Sequence, residues 1–136
     1  MAYDEVSIDS VRSALKRRNW AIILKRNDTE QYLPVYVGAS QANIVKRELM
    51  GIRPVEAEEY ERFLAGENIA RFNLKSVVVE RSQDGDFYAR LLLTENGNPI
   101  EMNCTFAAGL ALGFRKRARI LVDETTFQEA GFSLSY

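Results

Sequence analysis

The sequence predicts an α+β fold, with a mixed or antiparallel sheet built from two units, each a hairpin followed by a helix that packs on the sheet. Short runs of β-branched and aromatic residues alternate with Asp-Gly and Asn-Gly pairs, a pattern typical of consecutive hairpins. Apolar residues at helical spacing follow the third and the sixth of these runs. The 136 residues contain no linker or low-complexity segment, so we expect one domain over residues 1–136.

Three strands are predicted in the first part of the chain. Residues 3–11 alternate between apolar and polar, residues 20–24 form a short apolar run, and residues 32–37 return after an Asn-Asp turn. Pro34 cannot donate a hydrogen bond to a strand ladder, so we expect it at a sheet edge or near a strand start.

Two helices are predicted to follow these strands. Ser40 is the candidate N-cap of the first helix, and Gly51 is a suitable residue at its end. The second helix covers residues 56–64, and its acidic residues crowd the first turn, where the helix dipole favours them.

In the second half of the chain, the residue pattern predicts three more strands joined by two hairpin turns. The strands cover residues 72–79, 87–93 and 100–103, and the turns lie at Asp84-Gly85 and Asn96-Gly97.

A helix over residues 106–115, with Asn103 or Thr105 as its cap, follows the last of these strands. It contains two glycines, each of which costs about 1 kcal/mol relative to Ala in a helix. The predicted gain is a close approach of the helix backbone to the sheet. A short strand over 120–122 and a helical turn over 125–130 complete the chain.

The composition excludes several classes of site. The chain has no His, so a Ser-His-Asp triad, an HExxH zinc site and an imidazole general base are impossible. Its one Cys excludes a disulfide within the chain. No apolar run approaches the ~20 residues of a membrane helix, and the acidic N-terminus does not resemble a secretory signal. We therefore expect a cytoplasmic protein that does not bind membranes.

The densest basic cluster has two interpretations. It consists of Arg115, Lys116, Arg117 and Arg119. These side chains could bind the phosphates of a nucleic acid and release counterions. They could equally offset the dipole at the C-terminal end of the predicted helix, and the net charge of −1 gives no support to a strongly basic surface.

Two stretches are more specific than the rest: LPVYVG over residues 33–38 and DFYARL over residues 86–91. Gly51 and Arg53-Pro54 follow the first stretch, and a helix reading LALGFR follows the second. In this order and spacing, the motifs resemble the bifunctional nuclease domain family over nearly the whole chain, from about Val6 to Gly131.

The resemblance implies a compact α+β fold, a homo-oligomer, and metal-dependent hydrolysis of RNA and DNA with Mg²⁺ or Mn²⁺. It also points to the positions that match the family's polar motifs. The family has Thr-His-Asp after its Arg-Pro. In this chain the His is absent, and Glu58 is the acid that stands at the position of the Asp. Where the family has Asp-Ala-Arg-Pro-Ser-Asp-Ala, residues 103–109 read Asn-Cys-Thr-Phe-Ala-Ala-Gly. These replacements remove metal ligands and a phosphate clamp, which phosphodiester hydrolysis needs.

Three functions therefore stay open for this chain. The first is a binding or structural module that retains the scaffold without the catalytic groups. The second is a divergent nuclease, in which Glu58 and Glu101 would hold the metal. Its candidate catalytic residues are Arg53, Glu58, Glu101 and Asn103. The third is a module that binds phosphate or nucleic acid through the basic cluster of Arg115, Lys116, Arg117 and Arg119.

Overall fold

A computed structural model of the chain describes residues 2–14, 19–52 and 72–133. The predicted helix over 56–64 lies outside these residues. The described part contains eight strands and three helices. They are β1 (Tyr3–Ala14), β2 (Asn19–Arg26), β3 (Gln31–Val37), α1 (Ala39–Leu49), β4 (Phe72–Arg81), β5 (Phe87–Glu95), β6 (Asn98–Thr105), α2 (Phe106–Lys116), β7 (Arg119–Asp123), α3 (Glu124–Ala130) and β8 (Phe132–Ser133).

All eight strands form one mixed sheet in the order β6-β5-β4-β7-β1-β2-β3-β8. The only parallel pair among them joins β4 to β7. The strands β1 to β3 form an antiparallel meander followed by α1, and β4 to β6 form a second meander followed by α2. The predicted α+β fold with two strand-plus-helix units is therefore confirmed, and β7 lies between the two units.

The core lies between the sheet and the helices. Alternation along β5 buries Ala89, Leu91 and Leu93, since successive side chains of a strand point to opposite faces. These residues belong to one apolar cluster with buried residues of all three helices, including Leu110 of α2 and Phe127 of α3. The cluster holds both meanders against a common helical layer.

Helix α2 packs closely against β4 and β5, as its small residues predict. Every residue from Phe106 to Gly113 is buried. A Cβ atom at Gly109 would overlap the Cβ of Ala89, and one at Gly113 would lie 3.0 Å from Cγ2 of Val77. The glycines are therefore required by the short distance between the helix and the sheet.

The turns and helix caps agree with the predictions from the sequence except at two places. Asn96 and Gly97 both have positive φ angles, 51° and 84°, as a two-residue type I′ turn requires. The Asp84-Gly85 turn belongs to a longer connection over residues 82–86, in which Gly85 alone has a positive φ. Helix α1 begins at Ala39 with Gly38 as its N-cap, so the predicted cap at Ser40 was wrong.

The position of Pro34 and the cap of α2 confirm two further predictions. Strand β3 pairs with β8 only at Gln31 and Tyr32. At Pro34 the outer side of β3 therefore faces no described strand, so the missing N–H of the proline breaks no hydrogen bond on that side. Of the two candidate caps, Thr105 is the residue that caps α2.

Replacing Gly109 with Ala should destabilise the protein even though Ala is the better helix former. The helix gains about 1 kcal/mol in propensity, but overpacking costs about 1–3 kcal/mol, and the added methyl group would overlap that of Ala89. Since the two Cβ atoms would overlap, the overpacking cost lies at the upper end of its range, and we expect a net loss of about 2 kcal/mol in the free energy of unfolding, measured by urea denaturation.

Two further variants test the cause of that loss. In Gly113→Ala the added methyl group would lie 3.0 Å from Cγ2 of Val77, which is farther than the overlap at Gly109. This variant should therefore lose less free energy of unfolding than Gly109→Ala. Adding Ala89→Gly to Gly109→Ala removes the opposing methyl group and should recover part of the stability. A Gly109→Ala protein as stable as the parent would contradict this account of the packing.

Candidate functional site

The start of α2 contains most of residues 103–109, which match the family's second polar motif. The Thr105 hydroxyl accepts a hydrogen bond from the backbone N–H of Ala108 at 3.3 Å. The side-chain oxygen of Gln41, on α1, accepts one from the backbone N–H of Ala107 at 3.2 Å. These bonds satisfy two of the donors that the start of a helix otherwise offers to an anion.

A shallow depression of about 440 Å³ lies beside this helix start and is lined by Gln41, Phe87, Tyr88 and residues 103–106. The thiol of Cys104 is half-buried there, and burial raises its pKa to about 11. Because the thiolate is the nucleophilic form, this cysteine stays protonated and unreactive near neutral pH.

Glu101 and Asn103 both lie exposed on the same face of β6. Across the ladder, Asn103 is opposite Arg90 of β5. The Arg90 guanidinium donates to Glu80 at 2.9 Å and to Glu101 at 3.0 Å. The hydrogen bond to Glu80 is the main cause that raises the pKa of Arg90. The Glu101 carboxylate is therefore already bonded to a cation.

Helices α1 and α2 run in the same direction, since polar contacts join them start to start and end to end. Gln41 meets the first turn of α2, and Glu48 meets its last turn through Arg115. The Arg115 guanidinium donates to the two Glu48 oxygens at 2.7 and 3.0 Å. The two side chains are only 11% and 7% exposed, so this is a buried bidentate ion pair.

The basic cluster is divided by this ion pair. Arg115 faces α1, whereas Lys116, Arg117 and Arg119 are more exposed. Arg117 ends the helix with a left-handed backbone, φ 55°, and the Arg119 side chain is 65% exposed and 3.5 Å from Glu5. Cations at this end also offset the negative ends of two parallel helix dipoles.

A larger cleft of about 660 Å³ separates β1 from the C-terminal ends of α1 and α2. Glu5 lies on one side of it, and Glu48, Arg115 and Arg117 lie on the other. The cleft therefore has charged groups of both signs, and the buried ion pair forms part of its wall.

The structure brings together only part of the predicted catalytic set. Glu101 and Asn103 are neighbours on β6, whereas Arg53 and Glu58 lie outside the described residues. Within residues 2–14, 19–52 and 72–133, no three Asp, Glu or Cys side chains are grouped so that they could hold a metal ion. The basic residues 115–119 lie at the opposite end of α2 from Asn103.

Three polar residues that organise these contacts were not predicted from the sequence: Gln41, Glu48 and Arg90. For Glu48 a signal existed. It follows Ala42 and Val45 at helical spacing, so it falls on the apolar stripe of α1, where an acid requires a partner. Gln41 and Arg90 carry no comparable signal in the sequence.

A family model described as the bifunctional nuclease domain matches residues 22–135 of the chain. The chain belongs to the bifunctional nuclease domain family. This match covers both meander-plus-helix units except for β1 and the start of β2, and it includes the start of α2 and the basic cluster.

Two relatives of this bifunctional nuclease domain come from Mycobacterium tuberculosis. They are the uncharacterized protein Rv1829 of strain H37Rv and the uncharacterized protein MT1877 of strain CDC 1551. Each is 26% identical to the chain over 129 residues, which cover 93% of this chain and 76% of the relative. None of the described helices is long and apolar enough to span a membrane.

Removing Arg115 should destabilise the protein strongly, because the buried Glu48 carboxylate would lose its partner. We expect Arg115→Met to lower the free energy of unfolding by about 3–5 kcal/mol, measured by chemical denaturation. Arg119→Met is the matched control: its ion pair with Glu5 is exposed, and its loss should cost no more than about 1 kcal/mol.

The double variant Glu48→Leu/Arg115→Met completes the cycle. It should be more stable than Arg115→Met alone, because neither charge remains buried without a partner. Equal losses in the two proteins would show that Arg115 stabilises the fold independently of Glu48.

Proposed function

We propose that this bifunctional nuclease domain is non-catalytic and serves as a binding or structural module. The observation that carries this proposal is the closure of the α2 start by the protein's own side chains. The Ala107 and Ala108 amides are bonded to Gln41 and Thr105, at the position that matches the family's second polar motif. A phosphate or a metal-bound water would compete with the Gln41 contact that joins α1 to α2 and with the Thr105 cap of α2.

The nearby charges support the same proposal. Hydrolysis of a phosphodiester needs groups that stabilise charge on the phosphoryl oxygens, together with an oriented water. Glu80 and Glu101, two acids on this part of the sheet, both accept hydrogen bonds from Arg90. A divalent cation at Glu101 would have to displace that guanidinium or share the carboxylate with it.

A nuclease assay tests this proposal directly. The purified protein is incubated with fluorescent single-stranded RNA and with duplex DNA, each in Mg²⁺ and in Mn²⁺. We expect no cleavage above a reaction that contains the cation without protein.

The control for contamination is the variant Arg53→Ala/Glu58→Ala, which removes the Arg of the Arg-Pro pair and the acid that matches the Asp of the Thr-His-Asp stretch. Metal-dependent cleavage by the parent that this variant lacks would overturn the proposal and support the divergent nuclease. Equal cleavage by both proteins would indicate a contaminant and would be followed by repurification.

The basic cluster favours a second candidate function, the binding of phosphate groups on single-stranded nucleic acid. Lys116, Arg117 and Arg119 lie at the C-terminal end of α2 and the start of β7, and Arg117 lines the larger cleft. Their charges would attract a phosphate backbone and release counterions. Arg115 has no part in this candidate, since it holds Glu48.

Binding of labelled single-stranded RNA, followed by fluorescence anisotropy against salt concentration, tests this candidate. If Arg117 and Arg119 each contact one phosphate, Arg117→Ala/Arg119→Ala should reduce the slope of log K against log salt by about 1.4. The control Arg12→Ala/Arg81→Ala removes two exposed cations away from the basic cluster, since Arg81 ends β4 whereas Arg119 is opposite Ser76 of that strand, and it should leave the slope unchanged. Equal slopes in the two double variants would rule out a localised site.

A further inference from the structure

Strand β7 is too short to cover the edges of the two strands beside it. It pairs with β1 only from Tyr3 to Val6 and with β4 only from Ser76 to Val79. Strand β1 continues as far as Ala14. Within residues 2–14, 19–52 and 72–133, no strand pairs with this continuation on the side of β7. The middle of the sheet therefore contains a free strand edge next to the start of β7.

Two backbone hydrogen bonds determine which groups of β1 point toward this side. The carbonyl of Glu5 accepts from Asn27, which follows β2, and the carbonyl of Ala2 accepts from Glu124, which follows β7. Successive residues of a central strand bond alternately to its two neighbours. In the first part of β1, odd-numbered residues therefore face β2 and even-numbered residues face β7.

A bulge changes this order further along the strand. It lies between Ile8 and Ser10, where one extra residue of β1 enters the ladder with β2, so beyond it the even-numbered residues face β2. The backbone groups on the free edge consequently belong to Ile8, Val11 and Ser13. Their N–H and C=O groups are available to a further strand.

The free edge borders the larger cleft. Ser7 and Ile8 lie on one side of this cleft of about 660 Å³, and Phe114 and Arg117 lie on the other. Ile8 packs against the core, so a residue paired with it would also face the helices. Phe114 is 46% exposed, and an apolar side chain in the cleft would remove part of its ring from water.

Arg117 has a backbone conformation that its residue type does not favour. Its φ of 55° places it in the left-handed region at the end of α2, a position that Gly usually occupies. The other described non-glycine residues with a positive φ are Asp28 and Asn96, whose types tolerate it better. In the part of the chain that the structure describes, the Arg117 guanidinium forms no hydrogen bond or ion pair. An arginine that lowers stability here and lines a cleft without a partner indicates an anionic ligand.

The direction of β7 determines which end of an added strand would meet Arg117. Strand β7 is antiparallel to β1, and antiparallel pairs are slightly more stable per residue than parallel ones. A segment that follows the direction of β7 along the free edge would end where β7 begins. If that segment is the end of a chain, its carboxylate lies beside Arg117, and a guanidinium forms strong charge-assisted hydrogen bonds with a carboxylate.

We propose that the free edge of β1 binds the extended C-terminal segment of a partner protein, which lies antiparallel to β1 and places its terminal carboxylate on Arg117. Backbone hydrogen bonds to Ile8 and Val11 would hold the segment, and its alternate apolar side chains would pack beside Phe114. This inference goes beyond the proposed function and does not depend on whether the domain is catalytic.

Fluorescence anisotropy with a labelled pentapeptide tests the role of the carboxylate. The probe has the sequence Ser-Thr-Ile-Thr-Val and is prepared with a free C-terminus and as the C-terminal amide. The full-length protein should bind the free acid about tenfold more tightly than the amide, because a hydrogen bond between charged groups is lost in the amide. Equal affinity for the two peptides, or no binding of either, would overturn the proposal.

The variant Arg117→Gly separates binding from folding. Gly adopts the left-handed conformation readily, so this variant should unfold at a higher urea concentration than the parent. It should nevertheless bind the free acid about tenfold more weakly and the amide as the parent does. Arg117→Lys keeps the charge and should retain part of the preference for the acid.

Arg81→Ala is the control for general charge effects, because it removes an exposed cation at the far end of β4. It should leave both affinities unchanged. If Arg81→Ala weakens the acid as much as Arg117→Gly does, the carboxylate is not bound at Arg117 and the proposal fails.

Amide hydrogen exchange of the full chain, followed by NMR, tests the edge itself. In the free protein, the amides of Ile8, Val11 and Ser13 should exchange faster than those of Ser7 and Arg12, which face β2. With the acid peptide at ten times its Kd, exchange at Ile8 and Val11 should slow about tenfold. Slow exchange at these two amides without peptide would show that the edge is already paired and would refute the proposal, as would unchanged rates with the peptide bound.

Discussion

The short distance between α2 and the sheet is the constraint on which the rest of this structure depends. Gly109 and Gly113 face Ala89 and Val77 so closely that no larger residue fits without displacement. The helix is consequently buried from Phe106 to Gly113, and its middle can hold only small or apolar side chains. Polar chemistry on α2 is therefore confined to its two ends.

Both ends of α2 are bonded to α1. Because the two helices are parallel, their starts lie together and their ends lie together. Gln41 satisfies an amide at the start, and Glu48 forms an ion pair with Arg115 at the end. The same contacts that fix the helices side by side occupy the groups that could otherwise bind an anion. The packing of α1 against α2 is therefore the physical basis of the proposed loss of catalysis in this member of a nuclease family.

The sequence was sufficient for most of the fold. Alternation predicted the strands, the Asn96-Gly97 pair predicted a hairpin turn, and the glycines of α2 predicted its close packing. The site was less predictable, because its contacts join residues far apart in the chain. Nothing near Gln41 indicates that it reaches Ala107, and nothing near Arg115 indicates that it is buried rather than part of a basic surface. Such contacts depend on how α1 and α2 meet.

Titration of ¹⁵N-labelled protein with Mn²⁺, followed by NMR, tests the closure of the α2 start most directly. Mn²⁺ broadens the amide signals of nearby residues, so the broadened signals locate any bound ion. If the start of α2 is closed, the signals of Asn103, Ala107 and Ala108 keep their intensity, with or without added inorganic phosphate. Saturable broadening centred on these three amides would contradict it and would show that the start of α2 holds a metal ion.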